Sequence, residues 1–260
     1  MSKKIILTGA SSGIGEAAAY AFAERGAALY LAARREERLR EVAEKCLELG
    51  AAQAEAGVHD LSVDGEGTRL VETGHEALEG LDVLICNAGY GAYGPVQEID
   101  PSMMARIWQV NYHSGYESIH AALPHFLKQE KGHIVLVSSV LGKTALPLSA
   151  VYCATKFAQV GLGEALWGEL RGSGVNVSVV CPGYTKTEFQ PSSVRTESAS
   201  MFNRVGGHPP ETVAGEIVRA VEHRRRELIL TFPGRLFWRL NRFFPNLTAY
   251  LVSWFVNRHR

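Results

Sequence analysis

In the stretch "VYCATK", residues 151 to 156, Tyr152 stands four positions ahead of Lys156. Free tyrosine, with a pKa of about 10, and free lysine, at about 10.4, exchange protons poorly at neutral pH. Four residues make one helical turn, so a helix would put both side chains on one face, where an ammonium favours the phenolate. The pair then becomes an acid or base. Bringing a phenol from about 10 to near 7 takes roughly 4 kcal/mol, and a close opposite charge shifts a pKa by about 1 to 3 units. Such a pair also arises by chance, so its meaning depends on what the chain builds around it.

A second chemical feature lies at the chain start. In "TGASSGIG" (8 to 15), Gly9, Gly13 and Gly15 fall between an apolar run and a helix beginning near Ile14. Glycines there let the backbone approach a pyrophosphate, and the helix amides bind it. The spacing is Gly-x-x-x-Gly-x-Gly, distinct from the Gly-x-Gly-x-x-Gly dinucleotide fingerprint.

Both features need elements to hold them. Short β-rich runs alternate with helical patterns, the signature of βαβ units and a parallel sheet. The runs are 4 to 9, 28 to 33, 54 to 60, 81 to 89, 133 to 139, 176 to 183 and 227 to 232, which predicts seven strands. Residues 35 to 50 carry Leu39, Val42, Ala43, Cys46 and Leu49 at helical spacing before Gly50. A long helical pattern over 102 to 129 contains Pro124, a candidate kink. The expected fold is a single α/β domain, a Rossmann-like doubly wound, seven-stranded parallel sheet with helices on both faces. Residues 1–232 are expected to form the dinucleotide-binding and catalytic domain around the glycine loop and the Tyr-Lys pair, and 233–260 a basic, aromatic helical extension.

Composition narrows the function classes. With 46% hydrophobic and 21% charged residues the chain buries a large core. Cys46, Cys86, Cys153 and Cys181 show no CxxC spacing and read as reduced, mostly buried thiols. The nine histidines form no HExxH and no Cys/His cluster, so no metal is expected. The opening "MSKKIILTGA" has too short an apolar run for a signal peptide, and no run reaches the ~18 apolar residues of a membrane span. The expected place is the cytoplasm. No nucleic-acid partner is expected. Net charge is zero but uneven: residues 219 to 260 hold nine Arg against two acids, +7, and residues 1 to 218 balance at −7.

With these motifs in hand, the chain resembles the short-chain dehydrogenase/reductase family in its common form of about 250 residues. The resemblance covers roughly residues 3 to 232. It rests on "TGASSGIG" (8 to 15), "HDLS" (59 to 62), "CNAG" (86 to 89), Asn111, "VSS" (137 to 139), "YCATK" (152 to 156) and "PGYTKT" (182 to 187), in family order. Cys86 departs from the usual Asn.

The resemblance implies a catalytic tetrad of Asn111, Ser139, Tyr152 and Lys156. Ser139 would orient a substrate carbonyl oxygen, and Ser138 should point the other way because strand side chains alternate. Tyr152 would give that oxygen its proton, or take it back during oxidation. In the family the lysine also holds the nicotinamide ribose, and the asparagine maintains a water chain. The implied cofactor contacts are Gly9, Ser11, Ser12, Gly13, Ile14 and Gly15; Asp60 and Leu61; Asn87, Ala88 and Gly89; Tyr152 and Lys156; and Pro182, Gly183, Thr185 and Thr187. Outside the motif, Ser139 would read as a strand cap, Asn111 as a solvated helix residue and Asp60 as a turn carboxylate.

An Asp or Glu ending the second strand would accept the ribose 2'-hydroxyl of NAD, but this strand ends Ala32, Ala33, Arg34, Arg35. Arg34 offers a planar, charged donor set for a 2'-phosphate, with Arg35 as a second contact. The expected cofactor is therefore NADP(H), and the expected function is an oxidoreductase acting on a carbonyl or alcohol. A catalytically silent NADP(H)-binding sensor or scaffold is the alternative. Epimerase or dehydratase chemistry uses a similar Tyr-Lys pair on longer chains.

Residues 184 to 208, with Tyr184, Phe189, Met201 and Phe202, lie where the family has its variable lid, and Tyr90, Tyr93, Leu141 and Leu146 are candidate pocket residues. Ser139, Tyr152 and Tyr184 are the expected substrate contacts. The substrate is expected to be a small apolar carbonyl compound: a steroid, a fatty or aromatic ketone, or an aldehyde. Family members are commonly homodimers or homotetramers through the helices carrying Asn111 and Tyr152. Beyond Leu236 the apolar residues keep helical spacing interrupted at Pro245, beside Arg235, Arg239 and Arg242. Residues 234 to 260 therefore predict two amphipathic helices that pack on the domain or a partner subunit, or touch an anionic membrane surface.

Overall fold

The computed structural model describes residues 2–189, 193–196 and 207–258. In chain order the strands are β1 (Lys4–Thr8), β2 (Ala28–Ala33), β3 (Gln53–Val58), β4 (Val83–Cys86), β5 (Ala92–Tyr93), β6 (Gly132–Val137), β7 (Val175–Cys181), β8 (Val194–Arg195) and β9 (Glu227–Ile229). The helices are α1 (Gly13–Ala23), α2 (Glu36–Glu48), α3 (Glu66–Ala77), α4 (Pro101–Trp108), α5 (Ser114–Lys128), α6 (Ala150–Glu169), α7 (Pro210–His223), α8 (Phe232–Phe243) and α9 (Pro245–Arg258).

Seven strands form one parallel sheet in the order β3-β2-β1-β4-β6-β7-β9, and β5 pairs with β8 outside it. Side chains alternate across a strand, so both faces must be apolar if helices cover both. Ile5 and Leu7 of β1 join one buried cluster with Ala18, Phe22, Leu39 and Ile217 from α1, α2 and α7. Ile6 between them joins the opposite cluster with Leu70, Ile119, Phe126 and Val160 from α3, α5 and α6. The seven runs read from sequence all appear. Their ends are shorter, because residues 87–89 and 182–183 leave the sheet to form loops.

The long helical pattern over 102–129 is interrupted, but not at its proline. Between α4 and α5 the chain makes a wider π-helical turn over Gln109–His113, and Pro124 lies within α5. Such turns carry an extra residue and recur at functional sites. This one holds Asn111. Asp100 starts α4 by accepting from the Ser102 N–H, with Pro101 at the first helical position.

From β1 the chain winds outward through β2 and β3, then returns to pair β4 on the other side of β1. In such sheets the crevice lies beyond the carboxyl ends of the strands at this switch point. Thr8 and Cys86 end the two strands that flank it.

Candidate functional site

The Thr8 hydroxyl organises the crevice: its Oγ1 accepts from the Asn87 N–H at 2.9 Å and the Ala88 N–H at 3.0 Å, and donates to the Ile85 carbonyl at 3.3 Å. Asn87 Nδ2 donates to the Thr8 carbonyl at 2.9 Å. Together these lock "CNAG" onto the glycine loop. A Cβ on Gly15 would lie 2.1 Å from the Gly9 carbonyl oxygen, and one on Gly13, at φ +58, would lie 2.8 Å from Thr187 Cγ2. Only glycine fits either place, and Thr187 closes over the loop from beyond β7. Ser12 precedes α1 in extended conformation without a side-chain cap, so the first amides of that helix carry no side-chain acceptor. Uncapped amides at the positive end of a helix dipole, in a loop of glycine and small residues, suit a pyrophosphate.

At the next strand end, Arg34 is exposed and forms no ion pair or hydrogen bond among the described residues. Arg35 is engaged. Its guanidinium donates to Ser11 Oγ and the Ser11 carbonyl at 3.3 Å and pairs with Glu188 at 2.8 Å. It thereby braces the glycine loop against the segment after β7. Asp60 Oδ1 accepts from the Ser62 amide and hydroxyl, as a turn carboxylate does. Burial raises its pKa, but the Ser62 hydrogen bonds and then Arg34 and Arg106 outweigh this, leaving it below the usual carboxylate value. Leu61 is buried and lines a cavity of about 10 Å³ with Thr8, Cys86, Asn111 and Gln159. That volume is close to what one water needs.

Tyr152 and Lys156 lie on the first turns of α6, both buried. The Lys156 ammonium, 3% exposed, sits 5.7 Å from the Tyr152 ring centroid and donates to the Val137 carbonyl at 3.0 Å and to Gln159 Oε1 at 2.9 Å. Burial lowers its pKa to about 8. Tyr152 moves the opposite way to the sequence expectation: burial and then Tyr93 raise it above its ordinary value, while a hydrogen bond with Ser139 pulls it down. The difference has a physical cause. The ammonium spends its hydrogen bonds on Val137 and Gln159, so loss of water around the phenol dominates.

Ser139 is buried where β6 gives way to a short 3₁₀ turn, Val140–Gly142, and its Oγ also accepts from the Leu141 N–H at 3.1 Å. Ser138 points away, donating to the Lys156 carbonyl. Asn111, 1% exposed, is no solvated helix residue: its Oδ1 accepts from the Tyr90 N–H at 2.9 Å, and its Nδ2 donates to the Tyr90 carbonyl and to Thr155 Oγ1, both at 3.0 Å. Thr155 in turn donates to the Tyr152 carbonyl. A Cβ on Gly89 would fall 3.0 Å from Asn111 Oδ1 and 3.6 Å from Lys156 Nζ.

Above the phenol the walls are aromatic. The Tyr93 and Phe189 rings stand 5.9 Å and 5.7 Å from that of Tyr152. Arg195 of β8 lies over the Tyr93 ring at 5.5 Å. The Tyr90 hydroxyl is buried with no hydrogen-bond partner among the described residues. Tyr184 is not brought to the phenol; its ring borders Gly207, where a Cβ would lie 2.3 Å from Cδ1. Thr185 Oγ1 donates to the Gly183 carbonyl, and the Pro182 carbonyl accepts from Val140. Met201 and Phe202 fall outside the described residues. Asp64, His113 and Glu117 converge, but both Glu117 oxygens already accept amides, from Gly65 and Gly67, at the start of α3.

Sequence reasoning missed Gln159, Thr155 and Thr8 as members of this arrangement. Gln159 carries a signal: a polar residue three positions after Lys156 shares its helical face.

Comparison with known proteins agrees with this geometry. The profile of the short chain dehydrogenase family matches residues 3–198. Hydroxysteroid 11-beta-dehydrogenase 1-like protein A of Xenopus laevis is 34% identical over 257 residues, covering 96% of this chain and 86% of that protein. Dehydrogenase/reductase SDR family member 7B of the same species is 33% identical over 236 residues, covering 87% and 73%. Among solved structures, a short chain dehydrogenase/reductase from Burkholderia phymatum in complex with NAD superimposes with a TM-score of 0.86 at 29% identity, covering 95% of each chain. A short-chain dehydrogenase from Sphingobium yanoikuyae in complex with NADPH gives 0.81 at 26%, also covering 95% of each. A glycine loop at the sheet's switch point, a buried Ser-Tyr-Lys group beside it and these matches together make the chain a member of the short-chain dehydrogenase/reductase family, an oxidoreductase with a nicotinamide dinucleotide as its cofactor class.

Proposed function

We propose that the protein is an NADP(H)-dependent oxidoreductase that reduces the carbonyl of a small apolar compound, or oxidises the matching alcohol, with Tyr152 as general acid and base. The observation that carries this is the buried group of Ser139, Tyr152 and Lys156, with the Lys156 ammonium one helical turn from Tyr152 and 5.7 Å from its ring centroid. Ser139 holds the substrate oxygen, and Tyr152, kept protonated by its burial, delivers a proton to it. The bound nicotinamide supplies or accepts the hydride. Lys156 keeps one N–H beyond those given to Val137 and Gln159, available to a ribose hydroxyl. Asn111 holds Tyr90 and α6 in register around this group.

The glycine loop from Gly9 to Gly15 takes the pyrophosphate, with Ser11, Ser12 and Ile14. Asp60 and Leu61 take the adenine side, and Asn87, Ala88, Gly89, Pro182, Gly183, Thr185 and Thr187 the nicotinamide side. Arg34 favours NADP(H): it is exposed, free of ion pairs, and no carboxylate ends β2. The related structures hold either cofactor, so this choice rests on Arg34. The aromatic walls of Tyr93 and Phe189 support an apolar substrate, in keeping with the hydroxysteroid in the name of the Xenopus relative. Exposed Tyr116 and Leu127 on α5 and Phe157 and Trp167 on α6 support a homodimer or homotetramer. Four free, buried cysteines support a reducing compartment such as the cytoplasm.

A panel of steroids, fatty and aromatic ketones and aldehydes, followed by NADPH absorbance, tests this together with Tyr152→Phe. The substitution is expected to keep cofactor affinity and to lower turnover more than about a hundredfold. Turnover near wild type in Tyr152→Phe would remove the phenol from the mechanism, and tight NADPH binding with no turnover on any compound would favour a silent sensor.

A further inference from the structure

The C-terminal helices are unlike the rest of the molecule. They supply half of the large apolar side chains that are exposed among the described residues. On α8, Leu236, Leu240 and Phe243 follow one another at four- and three-residue steps, and on α9, Tyr250 and Leu251 lie three and four residues after Leu247, with Phe243 72% and Tyr250 68% exposed. Side chains so spaced share one face of a helix.

That face is exposed while the opposite one is anchored. Thr231 Oγ1 starts α8 by accepting from the Gly234 N–H, and a Cβ on Gly234 would lie 2.9 Å from Val140 Cγ1. Trp238 stacks on the Lys143 ammonium at 5.6 Å, and Lys143, with a nearly buried side chain, pairs with Glu164 at 3.0 Å and Glu227 at 2.9 Å. Buried Thr248 of α9 donates to Asn241 Oδ1 of α8 at 2.7 Å, tying the two helices into a hairpin. The exposed stripe is therefore the outer side of a docked hairpin.

Charge decides what covers it. No Asp or Glu follows Glu227 in the chain. Arg235, Arg239 and Arg242 are exposed on α8 and form no ion pair among the described residues. A second copy laid on this face would set these cations against their own counterparts with no carboxylate between them, whereas anionic lipid headgroups supply the missing charge. The hairpin cannot cross a bilayer, since no described helix is long and apolar enough. A helix with an apolar stripe bordered by arginines and rich in Phe and Tyr lies instead in the interface plane.

We infer that α8 and α9 form a docking surface for an anionic membrane, with the stripe from Leu236 to Leu251 entering the headgroup region and Arg235, Arg239 and Arg242 on the phosphates. On the reading of the site given above, docking brings the loop that carries Ser139 beside the lipid, because α8 rests on Val140 and Lys143. Apolar substrates dissolved in that lipid would reach the pocket from there.

Cosedimentation tests the docking without reference to turnover, so a wrong assignment of the reaction leaves it untouched. The full chain is expected to sediment with vesicles of equal phosphatidylcholine and phosphatidylglycerol, to do so less at physiological than at low salt, and to stay in the supernatant with pure phosphatidylcholine. Replacing Arg235, Arg239 and Arg242 by Gln should weaken partition about a hundredfold, and Phe243→Ser at least about tenfold. Both changes lie on the exposed face, and unaltered circular dichroism shows that they leave the fold intact. Full-length protein that remains in the supernatant with anionic vesicles at low salt overturns the proposal, as does equal binding to both vesicle types. A solution dimer made monomeric by Phe243→Asp would assign the face to a second copy instead.

Discussion

Lys156 donates to Gln159 Oε1 at 2.9 Å, three residues along α6, while its partner on the other side is a fixed backbone carbonyl, that of Val137. Gln159 is thus the one side chain among the described residues that accepts from the ammonium. Burial already lowers the Lys156 pKa to about 8, close to working pH. Removing an acceptor from an ammonium costs about 1.5 to 3 kcal/mol, or roughly one to two pK units. Carbonyl reduction should lose its rate as pH rises through the Lys156 pKa. Gln159→Leu is expected to move that alkaline limb down by about one unit or more, and Gln159→Glu to move it up. A limb that stays put in both variants in a pH profile of kcat would show that Gln159 does not tune the lysine.

The two arginines after β2 should separate cleanly. Arg34 is free to meet a 2'-phosphate, while Arg35 holds the Ser11 segment of the glycine loop. Arg34→Ala is expected to raise the Kd for NADPH about tenfold or more and leave that for NADH unchanged. Arg35→Ala should weaken both cofactors alike. Fluorescence titration of each variant with each cofactor checks this, and tighter binding of NADH than NADPH to the wild type would overturn the NADP(H) assignment.

Stability should carry the mark of His133. From β6 its Nε2 meets Ser178 Oγ of β7 at 2.8 Å, and burial lowers its pKa from 6.5 to about 4. Between those values the unfolded chain binds a proton that the folded protein refuses. The stabilisation is therefore complete above about pH 6.5 and is lost as pH falls through about 4. From about pH 7 to about pH 4.5 the wild type should lose about 2 to 3 kcal/mol more than His133→Gln, as read from urea unfolding. Equal losses in the two proteins would place the acid sensitivity elsewhere.

How much of this was legible depended on how local each cause is. Alternation in Ile5, Ile6 and Leu7 belongs to the strand itself, so the seven-stranded sheet was readable from sequence, as were the two C-terminal helices broken at Pro245. The Tyr152 and Lys156 pair was readable as a shared helical face. Its electrostatics was not, because the Val137 carbonyl that takes one Lys156 hydrogen bond and the rings that dry Tyr152 come from β6, β5 and the segment after β7. The π-helical turn at Asn111 was also hidden. Apolar spacing over 102–129 fits a regular helix, and the extra residue is selected by the pull of Tyr90 and Thr155 on the Asn111 amide.

The place of β1 between β2 and β4 governs how the chain can be made. Ile5 pairs with both Leu29 and Val83, so β1 keeps one edge open until residues some eighty positions later have emerged from the ribosome. Every pairing in the sheet is parallel and spans an intervening helix, and such non-local contacts close slowly. During synthesis at about 5 to 20 residues per second, that edge waits for several seconds. An apolar strand with an unpaired edge is what chaperones bind, and expression at lowered temperature, with fewer nascent chains present at once, favours soluble protein over aggregate.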